Sequence, residues 1–181
     1  MATKYSTQNI PAVIDRKVFF DANILIYIFW PSGSQYWENI YSATYARLVR
    51  QGNEMLVDFI VISEIVNRAI RLEYDKFLIA NTLTRSNVSF KKYRNSADGH
   101  TALTDIYLMV ETDILNSFTV VGKSFTKQEI NSLLTVDSLD FGDKAILLTC
   151  QENECILITN DVDYKTSNID ILTSNPSILN N

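Results

Sequence analysis

Short unbroken apolar runs and longer helical stripes take turns along this chain. Val18-Phe19-Phe20, Met55-Leu56-Val57, Phe118 to Val121 and Ile156 to Thr159 are compact runs rich in β-branched, aliphatic and aromatic residues, with Ile169 to Leu172 a fifth of the kind. Such runs predict buried strands. The stretches between them carry helical spacing. An apolar helix follows Asp21 and ends before Pro31, and Tyr36, Ile40, Ala43, Tyr45 and Leu48 mark a second over Tyr36 to Arg50. Gly52-Asn53 closes it in the manner of a helix C-terminus. Asp58 stands at an N-cap before a stripe of Ile62, Ile65, Val66, Ala69 and Ile70. Tyr74 to Lys92 and Asp98 to Asn116 predict two longer helices, joined through Tyr93 to Gly99 with turn chemistry in Asn95-Ser96-Ala97-Asp98-Gly99. Thr126 and Glu129 form a capping box for a small helix to Leu134, and Asp140 to Cys150 is helical. Strands alternating with helices predict an α/β protein: a central, mainly parallel sheet of four to five strands with helices on both faces. Met1 to Arg16 reads as a polar lead-in, 17–173 as one domain with a helical stretch at 74–116, and 174–181 as a loose tail.

At 181 residues one domain with an ample core is expected. The hydrophobic share of 46% and charged share of 20% are those of a soluble globular protein. Few Gly and Pro argue against disorder and against a turn-rich β-barrel. The net charge of −5 argues against a broadly basic nucleic-acid-binding surface, so phosphate contacts would have to rest on local cations. It suits a carboxylate cluster that a metal or a basic partner neutralises. Cys150 and Cys155 have neither redox nor zinc spacing, and one His is too few for a typical structural zinc site. Free buried thiols in a reducing cytoplasm are expected. Met1 to Lys17 lacks the apolar core of a secretory signal, and Asp21 and Asn23 break the best apolar run short of a membrane span. The expectation is a cytoplasmic protein with no membrane partner.

The acids change the picture. Asp21 ends the first strand, Glu64 lies in the first turns of the helix after the second, and Asp140 and Asp143 open a later helix. Thr159, Asp161 and Asp163 follow the fourth strand. Ligands in open α/β sheets collect at the carboxyl ends of strands, and a lone buried carboxylate is costly unless paired or bound to a cation. Each acid also has a plain structural duty open to it. Asp21 can cap the helix that follows it, and Asp140 and Asp143 can cap one another. Glu64 can pair with Arg68 one turn on, a contact of about 0.3–0.5 kcal/mol, and Asp161 and Asp163 can shape a turn. Three apolar strand-to-helix junctions carrying acids together favour convergence on one sheet edge.

The four elements Phe20-Asp21-Ala22-Asn23-Ile24-Leu25, Ile62-Ser63-Glu64-Ile65, Asp143-Lys144-Ala145-Ile146-Leu147 and Thr159-Asn160-Asp161-Val162-Asp163-Tyr164 resemble, in order, those of the PIN-domain nucleases. The resemblance covers about Val18 to Leu172. It implies a three-layer α/β/α sandwich that cleaves RNA with Mg²⁺ or Mn²⁺. Many bacterial members are the toxin of a toxin–antitoxin pair and often dimeric, so an antitoxin protein and a homodimer enter as implied partners. By the same analogy Asp21, Glu64, Asp143 and Asp161 are the catalytic metal ligands, joined by Asp163, with Asn23 and Thr159 supporting them. Asp140 is a cap before it is a ligand. Hard divalent cations take such oxygen donors, and one or two can activate water and stabilise an in-line phosphoryl displacement.

For substrate, Phe90-Lys91-Lys92-Tyr93-Arg94 offers cations with stacking aromatics suited to single-stranded RNA, or merely a solvated helix end favoured by the dipole. Arg68 and Arg71 near Glu64 are a second basic group. Two alternatives stand beside the nuclease: a catalytically silent PIN-like binding or scaffold module, and a haloacid-dehalogenase-like phosphatase. The phosphatase needs a proton-donating acid two residues after Asp21, where Asn23 stands and cannot do that work.

Overall fold

The computed structural model describes residues 2–180. Its strands are β1 (Lys4–Ser6), β2 (Val18–Phe20), β3 (Met55–Val57), β4 (Thr119–Val120), β5 (Ile156–Ile158) and β6 (Ile171–Thr173). Its helices are α1 (Ala22–Phe29), α2 (Gln35–Gln51), α3 (Phe59–Ala80), α4 (Phe90–Arg94), α5 (Ala97–Met109), α6 (Leu115–Ser117), α7 (Lys127–Leu133), α8 (Phe141–Glu152) and α9 (Pro176–Leu179). The strands form one sheet in the order β1-β6-β5-β2-β3-β4, every pair parallel. Helices flank it, giving the α/β/α sandwich that the sequence implies.

The central strands are apolar on both faces because both are covered. Val18, Phe19 and Phe20 are fully buried, as are Ile156, Leu157 and Ile158. Phe19 stands opposite Leu56 on one side and Leu157 on the other. Phe20 meets Phe118 edge-on at 5.0 Å, and Tyr45 of α2 stacks on Phe118 at 6.0 Å, tying β2 to the layer above it. This register brings the carboxyl ends of β5, β2 and β3 side by side, which is where Thr159, Asp21 and Asp58 lie. Among the described residues no helix is long and apolar enough to cross a membrane.

The structure departs from the sequence expectation at several places. The sheet has six strands rather than four to five, because Lys4–Ser6, read as part of a polar lead-in, pairs with β6 along one edge. The C-terminal stretch, read as a loose tail, contains α9 with Ile178 fully buried. Of the helix expected from Tyr74 to Lys92, Tyr74 to Ala80 is the last part of α3, continuous with the buried stripe of Val61, Ile65, Ala69, Ile70, Tyr74 and Leu78, and Phe90 to Lys92 belongs to α4, with no helix between them. α3 stops at Asn81, Thr82 takes a left-handed φ of 53°, and Ser89 caps α4 by accepting from the Lys92 amide. The expected helix from Asp98 to Asn116 forms as α5 and α6 with a π turn at Val110–Ile114 between them.

The α4–α5 corner closes tightly over Gly99. A Cβ there would clash with the Tyr93 carbonyl oxygen and lie 2.8 Å from the Arg94 Cα. Backbone cannot swing aside as a side-chain tip can, so Gly99→Ala is expected to destabilise at or above the top of the usual overpacking range of about 1–3 kcal/mol. Urea unfolding of the variant against the parent reads this directly, and an unchanged midpoint would refute the close packing.

Candidate active site

Two acids occupy equivalent places at strand-to-helix junctions and behave differently. Asp58, between β3 and α3, caps its helix: its Oδ1 accepts from the Val61 amide at 2.9 Å. Asp21, between β2 and α1, makes no side-chain cap bond. Its Oδ2 instead accepts from Thr159 Oγ1 and from Asn23 Nδ2, each at 2.6 Å. Thr159 Oγ1 in turn accepts from the Asp161 amide at 3.0 Å, and Asn23 Oδ1 accepts from the Asn160 amide at 3.2 Å. The end of β5 is thereby stitched to the end of β2, and the simple capping role for Asp21 is overturned. Tyr41, buried on α2, donates to Asn160 Oδ1 at 2.9 Å and extends the network to the next layer.

Asp21 is 4% exposed. Burial pushes its carboxyl up to about 7; the Thr159 hydroxyl opposes the rise, while the charges of Glu64 and Asp143 add to it. Glu64 is also raised, by burial first, against the pull of Arg68 and with the charges of Asp143, Asp140 and Asp161 adding. Burial likewise raises Asp143, with Asp140 and Asp161 contributing. Acids from four separate elements therefore feel one another's charge.

Each of these carboxylates is also engaged locally. Asp140 and Asp143 form the reciprocal capping box that the sequence allows: Asp140 Oδ1 accepts from the Asp143 amide at 2.8 Å, and Asp143 Oδ2 from the Asp140 amide at 3.1 Å. The other oxygen of Asp143 accepts from the Tyr164 hydroxyl at 2.8 Å. Tyr164 is fully buried, and burial together with neighbouring Asp21 and Asp143 raises its hydroxyl well above the ordinary range. Glu64 pairs with Arg68 at 3.2 Å. Asp161 Oδ1 accepts from the Asp163 amide at 3.0 Å and caps a 3-10 turn over Val162–Thr166. Asp163 itself is exposed, and its charge is not among the leading influences on Asp21, Glu64 or Asp143.

The donor set is all oxygen, which suits Mg²⁺ or Mn²⁺, and carboxylates that raise one another's pKa are relieved by a cation. In chemistry the residues fit such an ion. Among the described residues, no three Asp, Glu, His or Cys side chains form a ready-made metal cage.

The residues proposed for substrate divide. Arg68 lines a cavity with Asp161, and Arg68 and Arg71 line the adjoining one with Asn23. Lys91, Lys92 and Arg94 are exposed on α4 and line neither. Tyr93 is not an accessible stacking surface: it is buried against Tyr74 at 5.4 Å and Phe77 at 5.0 Å. Sequence reasoning passed over Tyr41, Asn160 and the hydroxyl of Tyr164. Tyr164 was visible as the aromatic that ends Thr159-Asn160-Asp161-Val162-Asp163-Tyr164, but its partner Asp143 was not.

No protein-family model matches this chain. No curated protein matches it either. Among solved structures it is similar to a chain of VapBC2 from Rickettsia felis bound to a DNA fragment from their promoter, at 12% identity and a TM-score of 0.48, with 86% of this chain and 97% of that one covered. A likeness of that degree carries no argument about what this chain does.

Proposed function

We propose that this chain is a divalent-metal-dependent ribonuclease of the PIN type, with RNA as its substrate and a protein antitoxin as its restraining partner. The observation that carries the reading is the buried, uncapped Asp21, its charge coupled to those of Glu64 and Asp143 at the carboxyl edge of the central strands. Asp21, Glu64, Asp143 and Asp161 are the residues that would hold Mg²⁺ or Mn²⁺. When bound, such an ion supplies an activated water and charge stabilisation for phosphodiester hydrolysis.

This chain's own residues do the positioning. Thr159 and Asn23 both donate to Asp21 Oδ2 and hold its carboxylate in one orientation. Tyr164 and the Asp140 amide do the same for Asp143, one at each carboxylate oxygen. Arg68 offsets the charge of Glu64 in the free protein and stands at the mouth of the cavity shared with Asp161. Against the phosphatase alternative stands Asn23, whose amide donates to Asp21 Oδ2 and supplies no acidic proton.

The test is cleavage of a mixed RNA pool by the purified protein with Mg²⁺, with Mn²⁺ and with EDTA. Cleavage with either metal and none in EDTA is the expected result. Cleavage that ignores EDTA would remove the metal from the proposal, and binding without cleavage under all three conditions would leave a scaffold.

A further inference from the structure

Three cavities follow one another along α3. The first, about 260 Å³, reaches Asp161 and is lined with it by Asn160, Asn23, Tyr27 and Arg68. The second, about 320 Å³, shares Asn23, Tyr27 and Arg68 with it and continues to Leu72, Arg71 and Asp75. The third, about 480 Å³, shares Arg71 and Asp75 and ends against Arg85, Ser89 and Phe90. Shared walls make these one groove running from Asp161 to α4, while Glu64 and Asp140 line a separate cavity. Glu64, Arg68 and Arg71 fall at i, i+4 and i+7 of α3, so they lie on one helix face, and about 10 Å of helix separates the acid from the last Arg.

Arg71 is the unusual member. Among the described residues it makes no hydrogen bond and no ion pair, whereas Arg68 pairs with Glu64 and Arg85 with Asp75. Its guanidinium lies over the Phe90 ring, 4.7 Å from the centroid. A guanidinium held over a ring and unpaired keeps N–H donors available, and its planar fork matches a phosphate in two-pronged fashion. In a chain of net charge −5 an unpaired cation in a groove that leads to Asp161 is a local attraction for an anionic polymer.

We propose that this groove carries the backbone of single-stranded RNA away from the cleavage point, with Arg71, backed by Phe90, gripping a phosphate. The inference rests on the nuclease reading for its direction, since the groove ends at Asp161. Cavities of a few hundred Å³ admit one strand rather than a duplex, and Tyr27, Ile26 and Leu72 give the middle of the groove an apolar wall against which bases can lie. An acidic peptide, the other anionic polymer, would have no bases to place there.

The experiment is anisotropy of a labelled single-stranded RNA oligonucleotide of mixed sequence, in EDTA so that nothing is cut, across a salt series. Arg71→Ala is expected to weaken binding about tenfold and to lower the salt slope by about one phosphate contact, with melting unchanged because the side chain is exposed. Arg71→Lys keeps the slope and regains part of the affinity. Lys127→Ala, at a separate cavity on α7, leaves both unchanged. Wild-type affinity and slope in Arg71→Ala, an equal loss in Lys127→Ala, or preference of the parent protein for polyglutamate over RNA would each overturn the groove. Arg71-dependent RNA binding in a protein that cuts with neither metal would support the groove and end the nuclease reading, so the two failures are distinguishable.

Discussion

Asp21→Asn is expected to lower Mg²⁺- or Mn²⁺-dependent RNA cleavage by at least about 100-fold while the protein stays folded. The size follows from what a single preorganised charge-stabilising group contributes in a buried site, on the order of 10²–10³ in rate. The fold survives because the native oxygen that matters structurally is Oδ2, which only accepts hydrogen bonds, from Thr159 and Asn23. The amide oxygen of Asn accepts both. What disappears is the negative charge that the surrounding acids already oppose. Cleavage in metal and thermal melting in EDTA, measured on the same preparation, separate loss of chemistry from loss of fold. Asp58→Asn is the matched control: it changes a buried junction acid whose work is capping α3, a role that Asn fills well, so cleavage is retained. A folded Asp21→Asn protein that cleaves like the parent would remove Asp21 from the site.

The contrast between those two acids shows how far the sequence reaches. Both follow a short apolar strand and precede a helix, and local pattern gives both the same duty. Asp21 differs because Thr159, 138 residues further along the chain, ends the neighbouring strand and presents its hydroxyl. The junctions themselves were legible because an apolar run stopping at an acid is a local signal. Strand order was not, and strand order is what brings β5 beside β2 and puts Thr159 within reach. β1 escaped notice for a different reason: Lys4, Tyr5 and Ser6 sit at the sheet edge, are only half-buried, and so lack the apolar run of a central strand. Tyr93 was misjudged because its burial is set by Tyr74 and Phe77 on α3, not by the lysines beside it. Arg71 was visible as a basic residue near Glu64, but its place over the Phe90 ring depends on how the chain turns between Asn81 and Ser89.

In the metal-free protein, stability is expected to fall as pH rises from about 4 to about 7. Asp21 titrates near 3.8 when exposed and is pushed up to about 7 in the folded protein, burial being the main cause. The native state therefore holds this proton more tightly than the unfolded chain does. Its contribution is fully present below the unfolded pKa and is lost as pH rises through the folded one. Three pKa units correspond to on the order of 4 kcal/mol, a large share of a typical domain's stability. Glu64 and Asp143, raised for the same reason, add in the same direction. Glu129 works the other way: the Thr126 amide and hydroxyl and Lys123 hold it down to about 2, so its contribution is present above its unfolded pKa and lost as pH falls towards 2. That window lies below the one Asp21 governs, and the stability maximum is expected on the acid side of neutrality. Urea midpoints in EDTA across this range, on the parent and on Asp21→Asn, give the test. The variant should lose most of the decline between pH 4 and 7 and exceed the parent in stability at pH 7. Parallel curves for the two proteins would show that Asp21 ionises without penalty, and with that the argument from its buried charge to a cation-binding site would fail.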